Sequence, residues 1–336
     1  TVLVSNDENG SPGLYVVDVA VPTAPVAVGE VGNYTSTRVA ASGDIAFVAT
    51  YGALKIIDFA IPSTPDEVAV VDVPTRSLGV DAVGSLAYLA SGGRGLRVID
   101  ASSPAAPVEA GVIDTLGNAR DVAVADGYAF VASDGLRVID VSDPSQLDDV
   151  GYLDLGSEST NVAVVPDSDL LLVSADELRV VDISMPSTPV QVGFIDLANP
   201  SQGVAVSGDL AFVADFSEGL RVVDISIPSQ PQEIGSIDTP GYAYDVALQG
   251  DFALVADYGP FGGLTVVDIS IPATPTAVAF IAGSAKGVTV VDDRAYVAND
   301  EAGLKVLDTS DPSMPIVVGS VATPSTSENV VVAGPN

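Results

Sequence analysis

The chain has 336 residues, of which 45 are acidic, 12 are Lys or Arg and none is His, so its formal net charge is −33. A negative charge of this size repels nucleic acid and anionic membrane surfaces at long range, which argues against both as partners. Hydrophobic residues make up 47% of the chain but occur in short runs, so the composition excludes extended disorder and predicts no membrane insertion.

The lack of Cys and His also removes several kinds of chemistry. No disulfide, thiolate metal site or Cys nucleophile is available, and the commonest general base is missing. A zinc site would have to be built from carboxylates alone, which is unusual. We therefore expect a protein that is not an enzyme and that uses no cofactor.

A five-residue string of the type LRVVD recurs eight times along the chain. Successive copies are 40 to 44 residues apart, and they begin at Leu14, Leu54, Leu96, Leu136, Leu178, Leu220, Leu264 and Leu304. This spacing matches the ~40–45 residues of a four-stranded propeller blade. The sequence thus predicts one domain over residues 1–336, made of eight repeats of about 42 residues.

The first predicted elements are strand B of blade 1 (TVLVS), the loop SNDENGSPG and strand C (LYVVD). Every strand C ends in Asp, and a Ser or Ala two residues later precedes a turn that contains Pro in each repeat. An Asp in this setting accepts backbone N–H groups of the turn, which favours a structural role over a ring of Ca²⁺ ligands. The eight residues are Asp18, Asp58, Asp100, Asp140, Asp182, Asp224, Asp268 and Asp308.

Half of the basic residues occupy the second position of strand C, namely Lys55, Arg97, Arg137, Arg179, Arg221 and Lys305. In the first five of these blades an Asp lies near the end of strand D, whereas the two blades with Tyr15 and Thr265 at the basic position lack that Asp. This covariation predicts cross-strand ion pairs of ~0–1 kcal/mol each and argues against an anion-binding ring. The predicted pairs are Lys55–Asp72, Arg97–Asp114, Arg137–Asp154, Arg179–Asp196 and Arg221–Asp238.

The loops that follow predict an electrically polarised disc. The D-to-A and B-to-C loops open on one face, here called the top, and carry Arg38, Arg76, Arg94, Arg120 and Lys286, whereas Arg294 alone lies in an A–B hairpin at the bottom. The bottom hairpins are acidic, with Asp44, Asp126, Asp167, Asp169, Asp209, Asp251, Asp292 and Asp293. The spacings Asp167–Asp169 and Asp292–Asp293 are too short for a calcium loop, so any Ca²⁺ binding is expected to be weak.

The later blades carry the less regular loops, DFSEG, DYGPFGG and NDEAG, and ring closure would bring these next to SNDENGSPG. Irregular loops on a regular scaffold are where binding usually concentrates, and Tyr and Arg are common interface anchors. The candidate top-face patch comprises Tyr34, Arg38, Tyr51, Phe216, Tyr242, Tyr244, Tyr258, Phe261 and Lys286. The alternative is that the tyrosines fill the axial channel or cover the seams between blades.

The last predicted element is a strand A (ENVVVAG, around Asn329). Paired with the N-terminal strand B, it would complete blade 1 from residues 1–31 and 329–336 and leave no open sheet edge. The predicted fold is therefore an all-β, eight-bladed propeller with four-stranded antiparallel blades, closed by strand A of the C-terminus and strand B of the N-terminus.

The LxVVDxSxPxxP element, which recurs along the whole chain, resembles the LVIVD-repeat proteins of bacterial and archaeal cell surfaces. The resemblance implies a propeller and a location at the cell surface or outside the cell, and it implies no catalytic residues. Because the chain opens directly on a strand, any targeting or anchor segment is expected to lie outside it.

Three hypotheses about function follow. The first is a non-enzymatic propeller of the cell surface or extracellular space that binds a protein or a glycan through its top-face loops. The second is a self-associating subunit of an extracellular filament or surface layer, since the two faces differ in charge. The third is a carboxylate-based hydrolase that uses Asp121 and Asp245 near the channel mouth, although Asn161 and Asn329 at equivalent positions favour a structural role.

Overall fold

The computed structural model describes residues 1–6, 13–32, 34–197, 199, 201–300, 302–323 and 326–333. Within these residues the regular structure consists of 31 strands and no helix. The strands form eight antiparallel sheets, which are the blades of a propeller.

Each blade runs from an inner strand A to an outer strand D. The inner strands A are β4 (Ser36–Ser42), β7 (Gly79–Val83), β11 (Asp121–Ala125), β15 (Asn161–Val164), β19 (Gly203–Ser207), β23 (Tyr242–Gln249), β27 (Gly287–Val291) and β31 (Ser327–Val332). The strands B are β1 (Val2–Asn6), β8 (Leu86–Ala90), β12 (Tyr128–Ser133), β16 (Leu170–Ser174), β20 (Leu210–Ala214), β24 (Phe252–Tyr258) and β28 (Arg294–Ala298).

The remaining strands complete the blades. The strands C are β2 (Leu14–Asp18), β9 (Leu96–Asp100), β13 (Gly135–Asp140), β17 (Glu177–Asp182), β21 (Leu220–Asp224), β25 (Gly263–Asp268) and β29 (Leu304–Asp308). The outer strands D are β3 (Val26–Val31), β6 (Asp66–Arg76), β10 (Val108–Ile113), β14 (Asp148–Leu153), β18 (Val190–Asp196), β22 (Gln232–Ile237), β26 (Thr276–Ala282) and β30 (Ile316–Val321).

In blade 2, strands B and C form one continuous extended run, β5 (Ile45–Asp58). Its first half pairs with β4 and its second half with β6. The run folds back at Tyr51 and Gly52, where Gly52 has a positive φ of 99°. The two halves lie side by side, since the Phe59 N–H at one end of the run donates to the Asp44 carbonyl at the other end at 3.0 Å. Blade 2 therefore has the same four-stranded layout as the other blades.

The two ends of the chain close the ring, as predicted. Strand β31 pairs antiparallel with β1, with Val332 opposite Val2 and Val330 opposite Val4. The Ala333 N–H donates to the Thr1 carbonyl at 3.0 Å. Blade 1 thus combines β31 with β1, β2 and β3, and both edges of β1 are paired.

The hydrophobic core is divided into eight clusters between neighbouring blades. A glycine in strand D of six blades allows the Pro-containing turn of the next blade to approach closely. At Gly193, for example, an added Cβ would lie 2.7 Å from Cδ of Pro231 and even closer to the Pro228 carbonyl. Gly319 of blade 8 meets Pro22 and Pro25 of blade 1 in the same way, so this contact continues across the closure.

All eight aspartates at the end of strand C make the predicted turn. The Asp18 carboxylate accepts the backbone N–H of Ala20 at 2.8 Å, and the other seven accept the N–H two residues onward at 2.8 to 3.0 Å. Hydrogen bonds to the charged form lower the pKa of Asp140, Asp182, Asp224, Asp268 and Asp308, with Ser two residues onward as the donor.

The strand C bases do not pair with the aspartates that the covariation predicted. Lys55 contacts Glu67 at 3.2 Å, Arg137 contacts Asp149 at 2.6 Å, and Arg97 and Arg221 likewise contact Glu109 and Glu233. Arg179 donates to the Gln191 amide oxygen at 2.8 Å and lies 3.5 Å from Glu177. The predicted pairs Lys55–Asp72, Arg97–Asp114, Arg137–Asp154, Arg179–Asp196 and Arg221–Asp238 are therefore wrong.

A β-bulge explains the change of partner. In every blade the register between strands C and D shifts by one residue, as between Val138 and Ile139 in blade 4. The shift turns the acid at the start of strand D, Asp149 in blade 4, to the side of the sheet that carries the base. The predicted partner Asp154 instead accepts the Gly156 N–H at 2.9 Å, and Asp114 accepts the Leu116 N–H at 2.9 Å.

Candidate functional site

The eight inner strands enclose a cavity of about 580 Å³ on the propeller axis. The first residues of the strands A, and the residues just before them, form its wall at the top. The charged residues in the wall are Arg38, Asp81, Asp121, Asp245, Lys286 and Glu328. Every blade contributes to this wall, so the cavity exists only in the closed ring.

Three aspartates in the cavity wall link neighbouring blades. Their carboxylates accept backbone N–H groups from strand A of the following blade, and the pairs are Asp81 with Val124 at 2.8 Å, Asp121 with Val162 at 3.2 Å and Asp245 with Val288 at 3.0 Å. Asp245 also accepts the Val246 N–H through its other oxygen at 2.9 Å. The role of these residues is structural, but it lies between blades and not within a turn.

Burial raises the pKa of Asp121, and it raises that of Asp245 to about 6. The positive charge of Arg38, which lies 3.9 Å from Asp121, lowers the pKa of both carboxyls without cancelling the effect of burial. Asp245 also lines the cavity, where burial favours the neutral form of its carboxyl and the two backbone N–H groups favour the charged form.

Four aromatic side chains from blades 6 and 7 gather at the rim of the cavity, and they are called the aromatic cluster here: Phe216, Tyr242, Tyr244 and Tyr258. Phe216 stacks on Tyr242 with ring centroids 4.4 Å apart and an interplanar angle of 8°. Tyr244 lies 5.8 Å from Phe216 and meets Tyr258 edge-on at 5.4 Å. Tyr244 also lines the cavity, so the cluster runs from the cavity wall to Tyr242, which is 43% exposed.

Lys286 joins the aromatic cluster to the cavity. Its Nζ lies 4.8 Å from the Tyr258 ring centroid, and the same ammonium group pairs with Glu328. A cation held over an aromatic face is stabilised by the ring quadrupole. The rim therefore presents aromatic faces, a cation and hydrogen-bonding groups side by side.

Phe216 has a backbone conformation that is unfavourable for a bulky residue, with φ of 47°. It follows strand B of blade 6 and forms an isolated bridge with Ala243 of blade 7. The equivalent bridging residues are Gly92 in blade 3, with φ of 50°, and Asp300 in blade 8, with φ of 39°. Gly and Asp adopt this conformation readily, so the aromatic residue in blade 6 is the exception.

The other members of the predicted patch lie in different surroundings. Phe261 belongs to the B-to-C loop of blade 7 and is 78% exposed. Tyr51 is exposed on blade 2, where the Arg76 guanidinium lies 4.3 Å from its ring centroid. Tyr34 is mostly covered, and its ring packs against the backbone at Gly13 and Gly32, so it fills the seam between blades 1 and 2. Tyr34 is therefore removed from the patch, and burial raises the pKa of its phenol.

The loop predictions for blades 1 and 8 fall partly outside the described residues, at 7–12 and 301.

The sequence analysis did not single out Asp257, which is fully buried at the end of strand B in blade 7. The hydroxyls of Thr239 and Thr265 both donate to its carboxylate, the latter at 2.5 Å. Burial raises the pKa of Asp257 to about 6. The available signal was Thr265, which replaces the usual strand C base in this blade.

Among the residues that the structure describes, no group of three or more acidic side chains is arranged to hold a metal ion. The same part of the chain contains no helix of the length and hydropathy that a membrane crossing requires.

These features define a class of protein: a closed eight-bladed β-propeller with a polar axial cavity and aromatic side chains on one side of its mouth. The LVIVD repeat matches the chain seven times, at residues 35–73, 77–115, 116–154, 173–197, 198–239, 240–280 and 282–323. The protein belongs to the LVIVD-repeat family, as the recurring strand C motif indicated. The search of curated proteins gives no match to this chain.

Several solved structures have a similar fold. A computationally designed protein, Ika8, has a TM-score of 0.71 at 12% identity, covering 89% of this chain and 90% of its own. A putative 6-phosphogluconolactonase from Bacteroides fragilis has a TM-score of 0.65 at 11% identity, covering 98% and 96%. BamB from Moraxella catarrhalis has a TM-score of 0.63 at 13% identity, covering 88% of both chains. At these identities the likeness concerns the fold alone.

Proposed function

We propose that this chain is a non-enzymatic propeller of the cell surface or extracellular space that binds a protein or glycan partner through its top face. The aromatic cluster and the neighbouring mouth of the axial cavity form the binding site. Tyr242 and Phe261 offer exposed aromatic surface, while Lys286, Arg38 and Asp245 supply charge and hydrogen bonds beside it. This combination suits a ligand with both flat apolar faces and polar groups.

The left-handed backbone of Phe216 is the observation that carries the proposal. A residue held in a sparsely populated backbone region costs about 1–3 kcal/mol, and such residues concentrate at functional sites. Stacking on Tyr242 offsets part of this cost, since an aromatic pair contributes about 0.5–1.5 kcal/mol. The position is occupied by Gly in blade 3, so the fold itself does not require an aromatic side chain there.

The two acids of the hydrolase hypothesis fit a scaffold role better than catalysis. Both oxygens of Asp245 are engaged by backbone N–H groups, and Asp121 is held by Val162 and Arg38. A catalytic carboxylate pair needs free oxygens that face the scissile bond from both sides. The proposal is accordingly a binding protein without a catalytic residue.

Screening against immobilised oligosaccharides and purified cell-surface proteins tests the proposal, with the variants Tyr242→Ala and Phe216→Gly. Both should weaken binding by at least about tenfold, as expected for aromatic anchors. Phe280→Ala is the matched control, because Phe280 is also 43% exposed but lies on the outer strand of blade 7. Phe216→Gly should unfold within ~1 kcal/mol of the parent protein, since relief of backbone strain offsets the lost stacking. Equal binding by all four proteins would contradict the proposal.

Self-association is a second candidate, and a separate surface favours it. Six successive blades, from blade 5 through blade 8 to blade 2, each place an exposed apolar side chain in the bottom turn between strands C and D. These residues are Met185, Ile227, Ile271, Met314, Val21 and Ile61. Native mass measurement over a concentration series tests this candidate, which predicts oligomers that Ile227→Asp and Ile271→Asp disrupt. A monomer at all concentrations would exclude it.

A further inference from the structure

The top face of blades 2 to 4 carries an unusual concentration of positive charge. Only 12 of the 336 residues are basic, yet four of them belong to the top loops of these three blades: Arg38, Arg76, Arg94 and Arg120. The top of blades 2 to 4 lies across the axis from the aromatic cluster on blades 6 and 7. Apart from Arg38, which lines the axial cavity, it is therefore a surface distinct from the site proposed above.

A groove of about 370 Å³ runs between the loops that enter blades 3 and 4, and it is called the arginine groove here. Arg76 and Arg120 line it on the two sides, with Thr75 and Asn118 beside them. The backbone of Gly92 and Gly93 forms the part of the wall that lies between these loops, where Gly92 approaches the Arg76 carbonyl and Gly93 faces the Asn118 amide. The groove is thus lined by cations and hydrogen-bonding groups.

One of the two arginines that line the groove lacks a carboxylate partner within the described part of the chain. Arg120 pairs with Glu158. The side chain of Arg76 is exposed and lies over the Tyr51 ring, and it forms no ion pair with a described residue. Arg94, in the loop that also carries Gly92 and Gly93, is exposed as well, but it lines a separate pocket together with Arg97, Val112 and Asp114. The chain has 45 acidic residues, so an exposed guanidinium group in the groove that pairs with none of them needs a reason outside simple charge balance.

We propose that the arginine groove binds the carboxylate groups of an acidic polysaccharide. A guanidinium group is planar and holds a carboxylate through two parallel hydrogen bonds, and unlike an ammonium group it is only weakly hydrated. Tyr51 is 56% exposed and stacks with Arg76, so an aromatic face lies directly beside a cation. A uronic acid presents the matching pair of groups, which are a sugar ring for the aromatic face and a carboxylate for the arginine.

The groove fits a sugar chain better than an acidic peptide. Thr75 and Asn118 supply hydroxyl and amide groups that match sugar hydroxyls, and two consecutive glycines give a flat surface against which a pyranose ring can lie. A bound peptide would instead need apolar pockets for its side chains or an open strand edge for its backbone. Leu78 alone supplies an apolar side chain to the lining.

The net charge of −33 does not prevent such binding. At 0.15 M salt the Debye length is about 8 Å, so distant carboxylates are largely screened and the local arginines dominate the potential in the groove. Binding should consequently weaken as salt is raised, because the contacts with the arginines are themselves electrostatic.

Calorimetric titration with an oligogalacturonate of defined length tests the proposal on the full chain. The double variant Arg76→Gln with Arg120→Gln changes both arginines that line the groove, and it should bind at least about tenfold more weakly than the parent, since each guanidinium–carboxylate contact is a charge-assisted hydrogen bond. Arg294→Gln removes the same kind of charge at the bottom face and should leave the affinity unchanged. A neutral gluco-oligosaccharide of equal length should not bind measurably.

Each other outcome overturns a defined part of the proposal. No binding by the parent protein, or equal binding by the parent, the double variant and Arg294→Gln, excludes the arginine groove as a uronate site. Equal binding of polyglutamate and oligogalacturonate excludes the assignment to a polysaccharide. Tyr242→Ala separates this site from the aromatic cluster, because it should leave oligogalacturonate affinity intact whether or not the aromatic cluster has a ligand.

Discussion

Asp215 and Asp257 occupy the same position in blades 6 and 7, at the top end of strand B, and both are fully buried. Asp215 pairs with the strand C base Arg221. In blade 7 that base is replaced by Thr265, so Asp257 is surrounded by two hydroxyl donors and no cation in contact. Burying a carboxylate without a cation is costly, which is why the pKa of Asp257 is raised to about 6.

This raised pKa predicts a pH-dependent stability. A group whose folded pKa exceeds its unfolded value contributes stability at low pH, and that contribution is lost as the pH rises through about 6. Asp257→Asn cannot ionise, so its free energy of unfolding relative to the parent should increase by about 1.4 kcal/mol from pH 5 to pH 7.5. Urea unfolding at several pH values measures the difference.

Asp268→Asn in the same blade provides the control, because the pKa of Asp268 is lowered and the effect of this variant should change only in solutions more acidic than pH 5. The strand C aspartates act in the opposite sense. Because their pKa values are lowered, their contribution to the stability of the protein is present at neutral pH and is lost only in more acidic solution. A pH-independent effect of Asp257→Asn would show that the carboxyl of Asp257 ionises as in the unfolded chain.

At the level of single elements, the bulge in strand D decides which acid meets the strand C base. Arg137 illustrates this, because its side chain is 12% exposed and its Nη1 lies 2.6 Å from Asp149, on the far side of the bulge. The same guanidinium lies 4.2 Å from the Tyr152 ring centroid. The ion pair with Asp149 and the contact with Tyr152 both favour the observed register between β13 and β14 in blade 4.

A double-mutant cycle tests the assignment of partners. The pair Arg137→Gln and Asp149→Asn should have a coupling energy of about 0.5–1 kcal/mol, as for other partly exposed ion pairs. The cycle of Arg137→Gln with Asp154→Asn should give no coupling, because Asp154 is engaged with Gly156. Thermal or urea unfolding of the six proteins provides the values, and coupling only in the second cycle would restore the partner that the sequence covariation suggested.

The sequence was informative wherever a signal is local to one repeat. Blade number, strand order, the closing strand and the Asp turn all follow from motifs a few residues long. The partner of Arg137 could not be predicted, because a bulge depends on how two strands pair and leaves no mark in a repeat alignment. For the same reason, the position of Tyr34 in a seam and the links from Asp245 to the next blade required the assembled ring.

On the scale of the whole molecule, eight similar units make different top surfaces. Three inner strands begin with glycine, and Gly79, Gly203 and Gly287 leave room for Asp121, Asp245 and Asn329 of the next blade. Other inner strands place Asp, Asn or Arg in the cavity wall, so the lining changes from blade to blade. Aromatic groups collect on blades 6 and 7 and cations on blades 2 to 4. Both proposed sites therefore depend on the order of the blades around a closed ring.

Closure itself can be tested by removing the strand that completes blade 1. Deleting residues 327–336 removes β31 and uncovers one edge of β1, whose residues Val2, Leu3 and Val4 are fully buried in the intact ring. An uncovered apolar strand edge promotes association, so the truncated protein should lose its single cooperative unfolding transition and form oligomers. Calorimetry and size-exclusion chromatography with light scattering measure both effects, and deletion of residues 334–336 alone is the control.

A rearranged chain distinguishes lost closure from general damage. Ala333 and Thr1 are joined by a 3.0 Å hydrogen bond, so β31 can be moved in front of β1 through a two-residue Asp–Gly turn like the one at Asp126 and Gly127. This permuted protein retains every strand and should recover the melting temperature and the monomeric state of the parent. If the truncated protein already unfolds like the parent, or if the permuted protein fails to recover, the pairing of β31 with β1 does not hold the ring together.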